Sequence, residues 1–187
     1  HYLPGQPIEK NKQTSSGINF LMDVNSFINH KLSFGINLEI ANIDLEEFQP
    51  EELTTSSPFN NAVRPQGFHY DFAVNTNLVA MFLSHEFLTK DEFKIFSNFR
   101  LERLNYDYDN LMLDGRTKDD GTDCGFGGCY YSRPADTKIS YSDNSFRFGF
   151  SKLVESNEFF FQLSKGFRPP QINELFRLQK SQTLANL

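Results

Sequence analysis

The side chains able to do chemistry are few, and most of them gather in loops. Asp119, Asp120 and Asp123 surround Gly121, and clustered carboxylates are what a hard cation such as calcium takes. Their spacing matches no complete coordination loop and lacks a terminal Glu, so a solvated acidic loop is the expectation. Cys124 and Cys129 enclose Gly-Phe-Gly-Gly, and the three glycines leave the backbone free to bring the sulfurs together. A local disulfide is the preferred reading, with free thiols or a two-cysteine metal site as alternatives; the metal site lacks a nearby His to complete a tetrahedral set. A disulfide implies an oxidising compartment such as a periplasm or cell surface. His69 and His85 share a parity with Asp71 but stand far apart along one strand, so they read as wall residues and not as metal ligands. No nucleophile, base and oxyanion donor can be assembled, and neither an enzyme nor a cofactor is expected.

The elements that carry these residues announce themselves by a period of two. In Phe68–Phe82 the residues Phe68, Tyr70, Phe72, Val74, Thr76, Leu78, Ala80 and Phe82 fall on one parity, while His69, Asp71, Asn75 and Asn77 fall on the other. Alternation of this kind predicts a strand. After the polar turn Leu88-Thr89-Lys90-Asp91-Glu92, Phe93, Ile95, Phe99 and Leu101 alternate with Lys94, Asn98, Arg100 and Glu102. Ile18 to Val24, Leu32 to Ile40, Phe146 to Phe150 and Phe159 to Leu163 repeat the pattern, giving about six long antiparallel strands. Residues 1–16 read as an irregular lead-in, and 46–67 and 110–138 as long loops, punctuated by Pro50, Pro58 and Pro65 in the first and holding the cysteines in the second. Short and long connections alternate, which places all the tight turns at one end of an up-and-down wall and all the long loops at the other. That asymmetry matches an outer-membrane barrel with periplasmic turns and extracellular loops.

Composition agrees with this and excludes other classes. The 187 residues include 21 Phe and no Trp, and no stretch approaches the ~18 consecutive apolar residues of a membrane helix. A formal net charge of −6 lacks the basic footprint of a nucleic-acid binder. The chain opens on His1-Tyr2-Leu3-Pro4 and closes on Ala185-Asn186-Leu187, without initiating Met, leader or stop-like element. We read it as an excerpt of a longer protein.

The stretch Ser164-Lys165-Gly166-Phe167-Arg168-Pro169-Pro170-Gln171-Ile172-Asn173-Glu174-Leu175-Phe176 resembles the Ser-Lys/Arg-Gly-Phe-Arg-Ala-Pro…Glu-Leu-Tyr/Phe element in the barrel of TonB-dependent outer-membrane receptors. Phe99-Arg100-Leu101-Glu102, followed by Asn105-Tyr106-Asp107-Tyr108, is similar to a strand of the same family. The resemblance runs over most of Gly17 to Leu187, and Gly166, Phe167, Arg168 and Pro169 are its most specific part, with Pro169 where the family often has Ala. It implies an incomplete section of a large transmembrane β-barrel in a bacterial outer membrane. The parent would take up a scarce ligand, such as a ferric siderophore, another metal chelate or a vitamin, with outer-membrane lipid, its own plug domain and the TonB system as partners. Neither plug nor final aromatic-ended strand occurs here. Read without the family, Gly166 relieves crowding at a bend and the two prolines end the strand ladder by removing donors.

On this scheme Leu32, Phe34, Ile36, Leu38, Phe72, Val74, Ile95, Phe99, Phe148 and Phe161 are expected to face lipid. Arg100, Glu102 and Arg147 are expected on the lumen side, satisfying one another's charge. In Leu78–Leu83 both parities turn apolar; Val79, Met81 and Leu83 are then expected to face inward, against the plug. The alternative to the receptor is a soluble or surface-attached β-sandwich binding or adhesion module. A sandwich needs turn signals every ~8–12 residues, and these hairpins are longer.

Overall fold

The computed structural model describes residues 5–186, without the side chains at 26, 27 and 186. It is all-β, a six-stranded antiparallel meander with two short helices. The strands are β1 (Ile8–Phe27), β2 (His30–Gln49), β3 (Gly67–Leu88), β4 (Phe93–Asn110), β6 (Thr137–Val154) and β7 (Asn157–Lys165), hydrogen-bonded in that order; β5 (Tyr131–Ser132) pairs separately with β8 (Leu178–Gln179). Helix α1 (Pro58–Val63) lies in the loop after β2, and α2 (Ile172–Phe176) follows β7. The sheet is open, with β1 and β7 at its edges.

Strand β1 begins at Ile8 and not at Gly17, so most of the expected lead-in is strand, while 1–4 lie outside the described residues. The polar run Glu9 to Ser16 hides its strand character because it is exposed on both faces, leaving no burial to impose alternation. Its order comes from the ladder to β2, from Glu9 opposite Glu47 to Ser16 opposite Ile40. The expected loops at 46–67 and 110–138 shrink at their ends to 50–66 and 111–136. The three tight turns each hold one residue at positive φ, Asn29, Glu92 and Glu155. At the middle one, Thr89 ties the turn by accepting from Phe93 N–H at its Oγ1 (3.0 Å) and donating its own N–H to the Phe93 carbonyl (2.8 Å).

Register decides which side chains share a face, because residues directly opposite on antiparallel strands point the same way. Near the tight turns the first face is apolar. Phe20, Ile36, Met81 and Leu101 form one row across four strands, and Met22, Phe34, Leu83, Phe99 and Phe146 form the next across five. Leu32, Leu38, Ile95, Phe148 and Phe161 belong to this face as expected, and much of it is exposed, from Ile18 at 70% to Leu38 at 43%. Val79, Met81 and Leu83 also belong to it, opposite Leu38, Ile36 and Phe34. The expectation that these three lie on the face opposite to Leu32, Phe34, Ile36 and Leu38 is therefore not met. Phe72 and Val74 are displaced the other way: each is 1% exposed on the second face, in the protein's own core. The physical reason is that the apolar side chains change face partway along β3. Above Val79 the first face carries Asn77 and Asn75, while the second carries Thr76, Val74 and Phe72, so a single parity cannot be apolar throughout.

The border between apolar and polar on the first face runs obliquely. The apolar run ends at Ile40 on β2, Val79 on β3, Leu101 on β4 and Phe146 on β6, and these residues stand opposite Asn77, Arg103, Asn144 and Lys165 of the next strand. Each border residue thus lies one same-face step lower than its neighbour. A two-residue step is about 6.6 Å along a strand and strands lie about 4.8 Å apart, so the strands lean on the order of 50° from the normal to this border. Strand β1 departs from the trend, its run ending at Ile18 opposite Leu38.

On the second face, two glycines accept aromatic rings from the next strand. The Phe82 ring covers Gly35 and the Phe96 ring covers Gly149, so that a Cβ at either position would overlap the ring. An aromatic over a strand glycine restores the contact the missing side chain gives up. Gly35→Ala should therefore displace the Phe82 ring and destabilise the sheet by about 1–3 kcal/mol, read as a lower denaturant midpoint. In a Phe82→Leu background the cost should shrink; an equal cost in both backgrounds would mean the ring is not the obstacle.

Candidate functional site

The long-loop half of the second face is where the chain gathers its polar chemistry. Leu45, Phe72, Val74, Tyr70, Tyr106 and Tyr108 form its floor, and the two long loops and the segment after β7 close over them. Phe176 of α2 stacks on Tyr108 at 4.2 Å between ring centroids. The Tyr106 hydroxyl donates to the Pro170 carbonyl and the Tyr70 hydroxyl to the Leu178 carbonyl, each at 2.7 Å.

The segment Gly166–Phe176 explains why its residue types recur together. β7 ends at Lys165, and Pro169 and Pro170 cannot donate to a ladder. Arg168 donates to Glu174 at 3.0 Å, and Glu174 accepts the Gln171 backbone N–H at 2.7 Å, closing a capping box on α2. These bonds aim Leu175 and Phe176 at the core, where both are buried. Gly166 does not do what was expected of it: its φ is not positive and a Cβ there would meet nothing within 4 Å. Phe167 is half-buried.

Cys124 and Cys129 are joined in a disulfide, with Cα atoms 5.0 Å apart. Gly125, Gly127 and Gly128 between them all adopt positive φ, the conformation glycine supplies without a Cβ penalty. The bridge is buried against Tyr131, whose phenol burial pushes up to about 12, so it remains neutral. Arg133, 2% exposed, holds the same loop from inside. Its guanidinium donates to the carbonyls of Leu113 (2.6 Å), His69 (3.2 Å) and Thr117 (2.8 Å). A buried cation is tolerated when its donors are satisfied in this way.

A second polar network ties the closing segment to the wall. Glu47, 3% exposed, ion-pairs with Arg177, which also reaches Glu9 at 2.8 Å, and His69 Nδ1 lies 3.3 Å from the Glu47 carboxylate. His69 is the extra residue of a bulge where the register between β2 and β3 shifts. His85 lies at the opposite end of β3, on the first face, with its Nε2 2.9 Å from His30 Nδ1. The acidic loop divides: Asp119 accepts from the Phe68 N–H at 3.1 Å, and Asp120 caps the Thr122 N–H at 2.9 Å. Those Thr122 donors, the hydroxyl foremost, hold the Asp120 carboxyl below its usual range. Among the described residues no group of three His, Cys, Asp or Glu is placed to hold a metal ion.

Arg100, Glu102 and Arg147 do share the second face, in its tight-turn half. Arg100 pairs with Glu102 at 2.8 Å. Arg147 joins neither; it donates to Gln162 at 3.0 Å and lies over the Phe96 ring.

Between wall, loops and closing segment lies a cavity of about 220 Å³, lined by residues that include Glu47, Tyr70, Arg64, Tyr130, Asn173 and Arg177. The sequence singled out none of these as site residues. They come from four separate segments, and no local motif joins them. The chain matches no family model, no curated protein and no solved structure.

Two outcomes follow. Replacing Cys124 and Cys129 by Ser should cost on the order of 2 kcal/mol for so short a loop, and mass spectrometry of a non-reduced digest should show the native pair linked. The Glu174 carboxyl is held below its ordinary 4.5, first by the Gln171 N–H and then by Arg168. A depressed folded value means its support for α2 is complete above 4.5 and lost as pH falls through the folded value. Amide protection at Gln171–Phe176, taken relative to the intrinsic exchange rate at each pH, should fall on acidification, whereas Glu174→Gln should show low protection already at neutral pH.

Proposed function

We propose that this sheet is part of the wall of a bacterial outer-membrane β-barrel, of the TonB-dependent receptor type its sequence resembles, and that it serves uptake of a scarce ligand. The oblique apolar border carries the reading. Outer-membrane strands lean roughly 35–45° and present an apolar band ~25 Å tall, and a leaning strand must start and end its apolar run at a different rung from its neighbour. From Leu32 to Ile40 the run on β2 spans about 26 Å along the strand, or about 20 Å along the normal at a ~40° lean. Among the described residues no helix is long and apolar enough to cross a membrane, which says nothing about crossing by strands.

In this arrangement lipid covers the first face up to the border, and the polar half beyond it stands outside. The second face lines the lumen. Its lower half, with Arg100 paired to Glu102, Arg147 over Phe96 and Phe82 over Gly35, mixes charge with aromatic surface. Such a wall suits a hydrated interior filled by a folded domain, the plug of the resembling family. The plug-facing role belongs to Leu78, Ala80 and Phe82 rather than to Val79, Met81 and Leu83. The loops at 50–66 and 111–136 lie on the ligand side, and the disulfide fits an oxidising exterior.

Neighbouring residues give the sharpest test, since Met81 and Phe82 point to opposite faces. A nitroxide on a cysteine at position 81, in the protein reconstituted into bilayers, should collide with dissolved oxygen and be shielded from a water-soluble nickel complex; one at position 82 should not show that lipid signature. A water signature at 81 would sink the membrane reading and favour a soluble sandwich.

A further inference from the structure

We propose that the cavity beneath the long loops is a binding site for a small planar carboxylate, held by Arg64 and stacked on Tyr130. The site would serve the captured ligand and so rests on the receptor reading for its purpose, though not for its geometry.

The lining divides into groups already engaged and groups left unspent. Glu47 is occupied by Arg177 and His69, Arg177 by Glu47 and Glu9, and Tyr70 by the Leu178 carbonyl. Among the described residues, Arg64, the Tyr130 hydroxyl and the Asn173 side chain have no hydrogen-bond or ion-pair partner. All three can donate, and Arg64 can only donate. Half-buried Arg64 follows the last turn of α1, and its charge acts on both Glu47 and Tyr70 from beyond ion-pair distance. Arg177 is shared by two carboxylates, Glu47 and Glu9, which leaves Arg64 as the unpaired cation of the lining among the described residues. Unspent donors around an unpaired guanidinium call for an acceptor-rich anion, and the guanidinium fork matches a carboxylate in two parallel bonds.

The planar body follows from Tyr130. Tyr70 and Tyr131 have their rings engaged, Tyr70 by Arg177 and Tyr131 by His69. The Tyr130 ring makes no aromatic or cation–π contact among the described residues, while its backbone is fixed by Val63 and Lys180. A ring held in place by its backbone and open on its face is a stacking platform. At about 220 Å³ the cavity admits one substituted ring and not a large chelate, so it would seat one arm or fragment of any larger ligand. Because Arg64, Tyr130 and Asn173 come from both long loops and the closing segment, occupancy would bind all three together.

The test is equilibrium binding of benzoate and 2,3-dihydroxybenzoate to the chain in detergent micelles, followed by tyrosine fluorescence, which no Trp obscures because the sequence has none. Saturable binding is expected for both, with no binding of neutral benzyl alcohol. Arg64→Gln should weaken it by at least about tenfold, the worth of one charged hydrogen bond, and Tyr130→Ala should weaken it too. As a check that needs no variant, phenylglyoxal should modify Arg64 more slowly when benzoate is present, with exposed Arg103 unaffected. No saturable binding up to the millimolar range, equal binding of benzyl alcohol, or undiminished binding by a folded Arg64→Gln protein overturns the proposal. The nitroxide measurement at Met81 and Phe82 is independent of this one, so a failed site and a failed membrane reading give separate results.

Discussion

A strand commits each side chain to one of two faces, and in this protein the apolar side chains change face halfway up. Below the change, Ile36, Met81 and Leu101 stand in a row, the last two 49% exposed. Above it, Leu45, Phe72 and Tyr108 sit on the reverse side under a cover of loops. Two apolar surfaces on opposite sides of one sheet, at different heights, need two different covers. The loops meet the upper demand, and only an apolar phase or another apolar surface can meet the lower one.

The upper cover shows what ordering a loop requires. Holding the chain from 111 to 136 in one conformation costs roughly 1–2 kcal/mol of backbone entropy per residue, which exposed polar residues cannot repay by burial. Fixed points are therefore needed. The disulfide shortens the freely moving span, Arg133 gathers two loop carbonyls and that of His69 on β3 around one cation, and β5 pairs with β8 to knit the loop to the closing segment. Phe176 then supplies the apolar anchor, stacked on Tyr108. The motif Gly166 to Phe176 acts through this anchor, with Arg168 and Glu174 setting the angle at which α2 enters.

How much of this the sequence disclosed depends on whether the cause was local. Strand count, pairing order and the tight turns followed from alternation, because burial of one face writes itself into every second residue. The disulfide followed from glycine content. Face assignment failed along β3, where Leu78 to Leu83 is apolar on both parities; the run looked like a lumen face turned apolar and is the crossing point of two apolar surfaces. Only pairing with β2, where Ile36 opposes Met81, resolves it. Glu47, Arg64, Arg133 and Arg177 were illegible for another reason. Each takes its meaning from a partner or a cavity built by distant chain segments, and nothing near them in sequence differs from an ordinary surface charge.

Among the described residues, β1 and β7 each present a row of backbone donors and acceptors with no partner strand. In water such an edge is satisfied by solvent, but at the height of the apolar band every unpaired group would cost several kcal/mol in an apolar phase. The two requirements are therefore linked. If the first face lies in lipid, both edges must be closed by further strands, and the lean of the border fixes how those strands stagger, one same-face step per strand. The departure of β1 from that stagger then gains a meaning: its apolar run ends below the line set by β2 to β6, so the band dips at this edge. Whatever strand pairs with β1 must follow that dip, with its own apolar run displaced toward the tight turns.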